Sequence, residues 1–275
     1  MLQCKHSNFP AGCPGPESGH EFNSVFLGFS RDGFHWFRPT KPRQAFAPLN
    51  LTGCDETGHS VTAGSMPYAW TNCTVWNYED VQSVAGGWIV GADDQLYQYV
   101  SGRALNMELD QTGLLTLRRD GFASLDSDST NSSSSSSSSQ DALDGDADAT
   151  TFLLTRAVSW HLAHQFLFVN FKGTGLRVSI QDAATNATIP HFTLATCAPL
   201  IGVDTTRHEI SWSKAPDGAF AALQGRAVRF RFEWQSGSLY SFWVAESACG
   251  ASNGHLPGGG VGIDDSGFDT AGGCH

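Results

Sequence analysis

The run from Arg226 to Val244 constrains this chain more than any other. Val228, Phe230, Phe232 and Trp234 recur at every second position, and Arg229, Arg231 and Glu233 fill the places between them. A period of two with one apolar side is the pattern of a half-buried strand. Burying each of these large side chains contributes about 1.5–3 kcal/mol, so the apolar face needs a second layer to cover it. After Gln235-Ser-Gly-Ser238 a second apolar run follows, Leu239-Tyr-Ser-Phe-Trp-Val244. The glycine-containing connection predicts that the two runs pair as an antiparallel hairpin, at the centre of a β-sandwich.

Other segments repeat the theme. Ser24–Ser30 predicts a strand, Asp32-Gly33 a tight turn, and Phe34–Trp36 the returning strand. Val81–Val84, Gly87–Gly91 and Gln95–Gly102 predict short strands, the last two joined by a turn at Asp93-Asp94. That spacing suits a propeller blade or a sheet of a sandwich. Leu114–Arg119, Phe152–Val158, Gln165–Asn170, Leu176–Ile180 and Arg207–Trp212 bring the second half, with its two central runs, to seven strands, a count that fits a sandwich. With 30 glycines, 18 phenylalanines and few helical periods, an all-β protein is expected.

Between the strands lies Asp126–Thr150, with an unbroken serine run from Ser132 to Ser139 and then Asp141, Asp144, Asp146 and Asp148. It has too little apolar surface to offset the entropy of ordering, which predicts a disordered insertion. Asp144-x-Asp146-x-Asp148 superficially resembles a calcium loop but lacks the glycine at position six and the glutamate at position twelve. The glycine-rich residues 249–275 are expected to be a poorly ordered tail. The expected organisation is therefore one or two terminal propeller blades over 20–112, a β-sandwich over 113–248 interrupted at 126–150, and the tail.

The formal net charge of −11 argues against a broad nucleic-acid footprint. No apolar run approaches the ~18 residues that a membrane helix needs, so neither nucleic acid nor membrane is an expected partner. None of the seven cysteines forms a C-x-x-C pair, so no metal is expected, and no motif implies a cofactor. Sequons begin at Asn50, Asn72, Asn131 and Asn186. With the cysteines they point to an oxidising compartment. The first residues, Met1-Leu-Gln-Cys-Lys-His-Ser7, lack a signal-peptide core. A secretory location is thus expected for a longer parent of which this chain is a carboxy-terminal portion.

An ordered set of phrases carries a family resemblance. Gly28-Phe-Ser-Arg-Asp-Gly-Phe-His-Trp-Phe-Arg-Pro39 is followed by Trp76-Asn77, Val81-Gln-Ser83, Tyr99-Val-Ser-Gly-Arg103 and Leu117-Arg-Arg-Asp-Gly-Phe-Ala-Ser124. Leu167-Phe-Val-Asn170, Leu176-Arg-Val178, Asp204-Thr-Thr-Arg207 and Gly237-Ser-Leu-Tyr-Ser-Phe-Trp-Val244 complete it. Over most of residues 24–254 the chain resembles the carboxy-terminal half of glycosyl hydrolase family 32/43-like proteins. The resemblance implies the end of a five-bladed β-propeller followed by a β-sandwich, and a role in hydrolysing or binding carbohydrate. It also implies blades before Ser24 that this chain lacks. Asn-Asp-Pro and Arg-Asp-Pro motifs are absent, so no catalytic residue carries over.

Glycoside hydrolysis needs two carboxyl groups across the scissile bond, about 5–9.5 Å apart. Glu79 and Asp80 are the catalytic candidates, and Trp76 and Tyr78 beside them are the carbohydrate-binding candidates, since an aromatic ring can stack on a sugar while an acid accepts from its hydroxyls. The same acids also suit a solvated turn before the Val81 strand. Asp32 and Asp94 are expected as turn residues, and Arg118, Arg119 and Asp120 as parts of a structural ion pair at a domain interface. Gly250-Ala-Ser-Asn-Gly254 matches the nucleophile-elbow pattern but precedes a glycine-rich tail rather than a helix. The expected function is therefore that of the carboxy-terminal portion of a glycoside hydrolase-like protein that acts on or binds carbohydrate, without catalysis by this chain alone. The alternatives are a non-catalytic carbohydrate-binding module and a structural or adhesive extracellular β-domain.

Overall fold

The computed structural model describes residues 2–3, 23–38, 80–84, 86–103, 110–127, 150–161, 165–216 and 218–271. Within them the chain is all-β, with several open sheets, no α-helix and one short 3-10 helix at Ala219–Leu223. It forms two compact units: residues 1–91 with 95–116, and residues 92–94 with 117–275. The expected insertion lies outside the described residues save at its edges, as does the calcium-like Asp144–Asp148.

The first unit contains β1 (Leu2–Gln3), β2 (Asn23–Ser24), β3 (Phe29–Ser30), β4 (Trp36–Phe37), β5 (Asp80–Val84), β6 (Trp88–Val90), β7 (Gln95–Arg103) and most of β8 (Asp110–Arg118). Its main sheet runs β1-β2-β5-β7-β6, with β8 also paired to β7. Alternation places Val81 and Val100 inside, with Val25 and Leu115 packed on them. β3 and β4 form the expected antiparallel pair, Phe29 opposite Phe37 and Ser30 opposite Trp36. The Asp32 carboxylate closes their turn by accepting from the backbone N–H groups of Phe34 (2.9 Å) and His35 (2.7 Å).

The second unit contains β9 (Leu125–Asp126), β10 (Thr151–Leu154), β11 (Val158–Ser159), β12 (Phe166–Thr174), β13 (Arg177–Asp182), β14 (Val203–Glu209), β15 (Ala227–Trp234), β16 (Ser236–Ala245) and β17 (Gly258–Gly260). One four-stranded sheet places β15 between β10 and β13, with β11 also pairing β15. The other has the order β14-β12-β16-β9. Val228, Phe230, Phe232 and Trp234 are all buried, as the alternation predicts.

The hairpin expectation is overturned. β15 and β16 do not pair: β15 ends at Trp234, the chain turns at Gln235, and β16 enters the other sheet. Separate sheets let the two apolar runs face each other. Phe242 lies 5.6 Å from Phe230 and 4.8 Å from Phe232, ring to ring. Hydrophobic burial thus favours crossing over pairing, because paired neighbours would both still need an outside cover. Gly237 permits the crossing. It has a φ of 114° and lies opposite Gly173, and a Cβ there would fall on the Lys172 carbonyl.

Both sheets feed one apolar cluster, including Leu167, Val169 and Phe171 of β12, Val178 and Ile180 of β13, and Leu239 of β16. Phe220 of the 3-10 helix joins it by stacking on Trp160, with ring centres 5.1 Å apart. The tail is also folded, contrary to expectation. Leu256 N–H donates to the Gly267 carbonyl (2.8 Å), Asn253 N–H to the Asp269 carbonyl (3.0 Å) and Asp269 N–H to the Gly254 carbonyl (2.9 Å). A glycine-rich segment can be ordered where backbone hydrogen bonds and one buried anchor, here Asp269, replace an apolar face.

Candidate functional site

The side chains that β15 turns away from the core meet those of its neighbours in rows. Glu233 lies between Phe152 of β10 and Arg177 of β13; Arg231 lies between Leu154 and Ser179; Arg229 lies opposite Gln181. This outer face carries an open groove of about 440 Å³, lined by Ser179, Gln181, Thr188, Thr193, Arg231 and Glu233 among others. Hydroxyl, amide, guanidinium and carboxylate groups thus converge in one concavity.

Three contacts shape it. Arg231 Nε donates to Glu233 Oε1 at 2.5 Å, and its guanidinium lies 4.8 Å from the centre of the Phe152 ring. Such a cation over an aromatic face contributes about 0.5–1 kcal/mol at an exposed site. Arg177 Nη1 donates to the carbonyls of Leu194 (3.1 Å) and Cys197 (2.9 Å), fixing the loop that forms one wall. Phe152 stays 60 % exposed, unusual for a large aromatic in the row next to a polar groove.

The opposite sheet uses its outer polar row differently. Asn170 of β12 is fully buried. Its Oδ1 accepts from Arg118 Nε at 2.6 Å and its Nδ2 donates to the Arg119 carbonyl at 2.5 Å. Arg118 also pairs with Asp204, and Arg119 with Asp94 (3.0 Å) and Asp269 (2.9 Å). Lys172 first, then Arg118, hold the Asp204 carboxyl below the ordinary carboxylate range. At Asp94 desolvation is the largest influence and acts upward, but hydrogen bonds from Thr206 and Arg119 outweigh it and the net shift is downward. The ion pair expected of Arg118, Arg119 and Asp120 at a domain interface is corrected: Arg119 pairs with Asp94 and Asp269, and Arg118 with Asp204, all within the second unit. Asp94 also sits at a turn, with a φ of 58°. The arrangement clamps the tail. Every named carboxylate in it has a cationic or hydroxyl partner, and nothing in it presents an opposed pair of acids to solvent.

Trp76, Tyr78 and Glu79 lie outside the described residues. Asp80 opens β5, opposite Arg103 in β7 and Asn23 in β2. Ser252, the serine of the elbow-like motif, donates to Asp269 Oδ2 at 2.8 Å, and no helix follows it among the described residues. Among the described residues no group of three or more His, Cys, Asp or Glu side chains could hold a metal ion. Cys197 is buried and its thiol is pushed up by burial, while Cys249 is disulfide-bonded.

Sequence reasoning identified the outward alternation of Arg229, Arg231 and Glu233, and of Arg177, Ser179 and Gln181. It missed that the two rows are neighbours and that Phe152 joins them. The missing information was register: Phe152 and Leu153 are both apolar, and only pairing decides which one faces outward. No protein-family model, no curated protein and no solved structure matches the chain.

Proposed function

We propose that the chain is a carbohydrate-binding β-protein, similar in plan to the end of a glycoside hydrolase-like propeller followed by a β-sandwich, and not catalytic by itself. The second unit is the sandwich: its two four-stranded sheets share one apolar cluster. The first unit's mostly antiparallel strands are the blade portion. The observation that carries the binding role is Phe152, exposed beside a groove whose lining both donates and accepts hydrogen bonds. Sugars present an apolar C–H face and a rim of hydroxyls, and an aromatic ring next to Ser, Thr, Gln, Glu and Arg groups complements both. The disulfide at Cys249 fits an oxidising compartment.

Catalysis is not assigned to Glu79 and Asp80. They are adjacent in the chain, and glycoside hydrolysis needs two carboxyl groups set across the scissile bond, a placement that sequence neighbours are not expected to supply. In this reading they, with Trp76 and Tyr78, offer at most a further sugar contact.

The test is binding of the purified chain to an array of neutral and acidic oligosaccharides, repeated with Phe152→Ala. Binding that falls at least about tenfold in the variant, with the fold intact by circular dichroism, is the expected result; tenfold corresponds to 1.4 kcal/mol. Absence of binding to every glycan would reject the reading. Hydrolysis lost in Glu79→Gln or Asp80→Asn would instead place the chain among the enzymes.

A further inference from the structure

We infer that the groove on the outer face of the β10-β15-β13 sheet takes an acidic glycan and binds a uronate carboxylate through Arg231, with Arg229 next to it in the same outward row. The inference rests on the carbohydrate reading and narrows it to a substrate class.

The charge of this face opposes that of the chain. The formal net charge is −11, yet the outward rows hold three guanidiniums, Arg177, Arg229 and Arg231, against the single carboxylate of Glu233. A local positive field on an acidic protein attracts an anion that the remaining surface repels.

The three arginines are not equally committed. Arg177 spends Nη1 on two carbonyls and acts as a wall support. Arg231 spends Nε on Glu233 and one face on Phe152, which leaves both terminal nitrogens without a partner among the described residues. Arg229 donates Nη1 to the Thr155 carbonyl at 3.0 Å, but its Nε is buried with no partner among the described residues. Alternate residues of one strand lie about 6.5–7 Å apart, so Arg229 and Arg231 present two cationic points along one line.

The ligand class follows from shape as well as charge. A guanidinium matches a planar carboxylate with two parallel hydrogen bonds, and Arg231 is held in one orientation by Glu233 and Phe152. The Phe152 ring lies in the adjacent row, where a sugar ring carrying that carboxylate can rest. Ser179, Gln181 and Thr188 then face its hydroxyls.

Titration calorimetry of the full chain tests this with oligogalacturonate and oligoalginate, with the methyl esters of both, and with a sulfated galactan oligosaccharide. The esters keep the backbone and remove the charge, so this comparison needs no protein variant. Expected are binding of at least one uronate, at least tenfold weaker binding of its ester, and a similar loss in Arg231→Gln that Arg231→Lys restores only in part. Equal affinity for acid and ester would overturn the inference and leave carbohydrate binding standing. So would preference for the sulfated galactan. Binding only to neutral sugars would do the same, whereas binding to no glycan at all would remove both readings.

Discussion

The two sheets of the second unit share one core but treat their outer faces in opposite ways. On the β10-β15-β13 side most of the outward row keeps some solvent contact, Ser179 being the buried exception, and Phe152 remains 60 % exposed beside the groove. On the β14-β12-β16 side the outward row is covered. Phe168 and Trp243 stack with ring centres 5.6 Å apart, and Trp243 Nε1 donates to the Gly250 carbonyl. A Cβ on Gly250 would meet the Phe168 ring at 2.9 Å, so the tail can lie this close only as glycine. Asn170, Arg118 and Arg119 are locked beneath it. On the covered face Asn170 has both its amide groups paired, although Arg118 Nη2 and Ser241 Oγ are buried without a partner among the described residues. The difference is one of burial: one outer face is covered by other parts of the chain, and the other keeps polar groups and an aromatic ring at the surface.

That contrast can be broken or sharpened by experiment. The largest effect belongs to the layer both faces share. Trp234, 1 % exposed, should cost about 3–5 kcal/mol as Trp234→Ala in denaturant unfolding; a cost below about 1 kcal/mol would contradict its place in the core. Next comes the covered face. Asn170→Ala leaves the Arg118 guanidinium and the Arg119 carbonyl without their buried partner and should cost about 2–4 kcal/mol.

The tail anchor should follow. Asp269→Asn weakens the pair with Arg119, in which both side chains are nearly buried, and should cost about 1.5–3 kcal/mol. Hydrogen exchange should quicken first at Asn253, Leu256 and Thr270, whose N–H groups bond within the tail. Unchanged exchange there would show that the anchor is not Asp269.

Acid should probe the edge of the open sheet. Arg226 above all holds the Asp182 carboxyl down at about 2, from 3.8. A depressed folded pKa contributes stability that is present above pH 3.8 and is lost as pH falls towards about 2. Arg226→Met should therefore flatten this part of the acid unfolding curve by lowering stability at neutral pH while leaving it nearly unchanged at the acid end. The smallest effect should be on the open face itself: Phe152→Ala should change stability by less than about 1 kcal/mol, while its effect on glycan binding is large. A loss comparable to that of Asn170→Ala would mean that the open face is structural as well.

The sequence alone determined the all-β character, the turn at Asp32-Gly33, and which side of Ala227–Trp234 is buried. Each is a local matter: period, turn chemistry and side-chain size act over a few residues. Tertiary structure alone decided that the two central runs part into different sheets. The linking residues Gln235-Ser-Gly-Ser238 are compatible with a hairpin, and only the mutual burial of Phe230, Phe232 and Phe242 selects the crossing. It also decided that a glycine-rich tail is ordered, since its anchor is Arg119, 150 residues away from Asp269 in the chain (269 − 119). The candidate site divides the same way. Arg229, Arg231 and Glu233 were legible as an outward row, but a row becomes a groove only when register sets Ser179 and Phe152 beside it. Register is fixed by pairing between distant segments, and no local pattern encodes it.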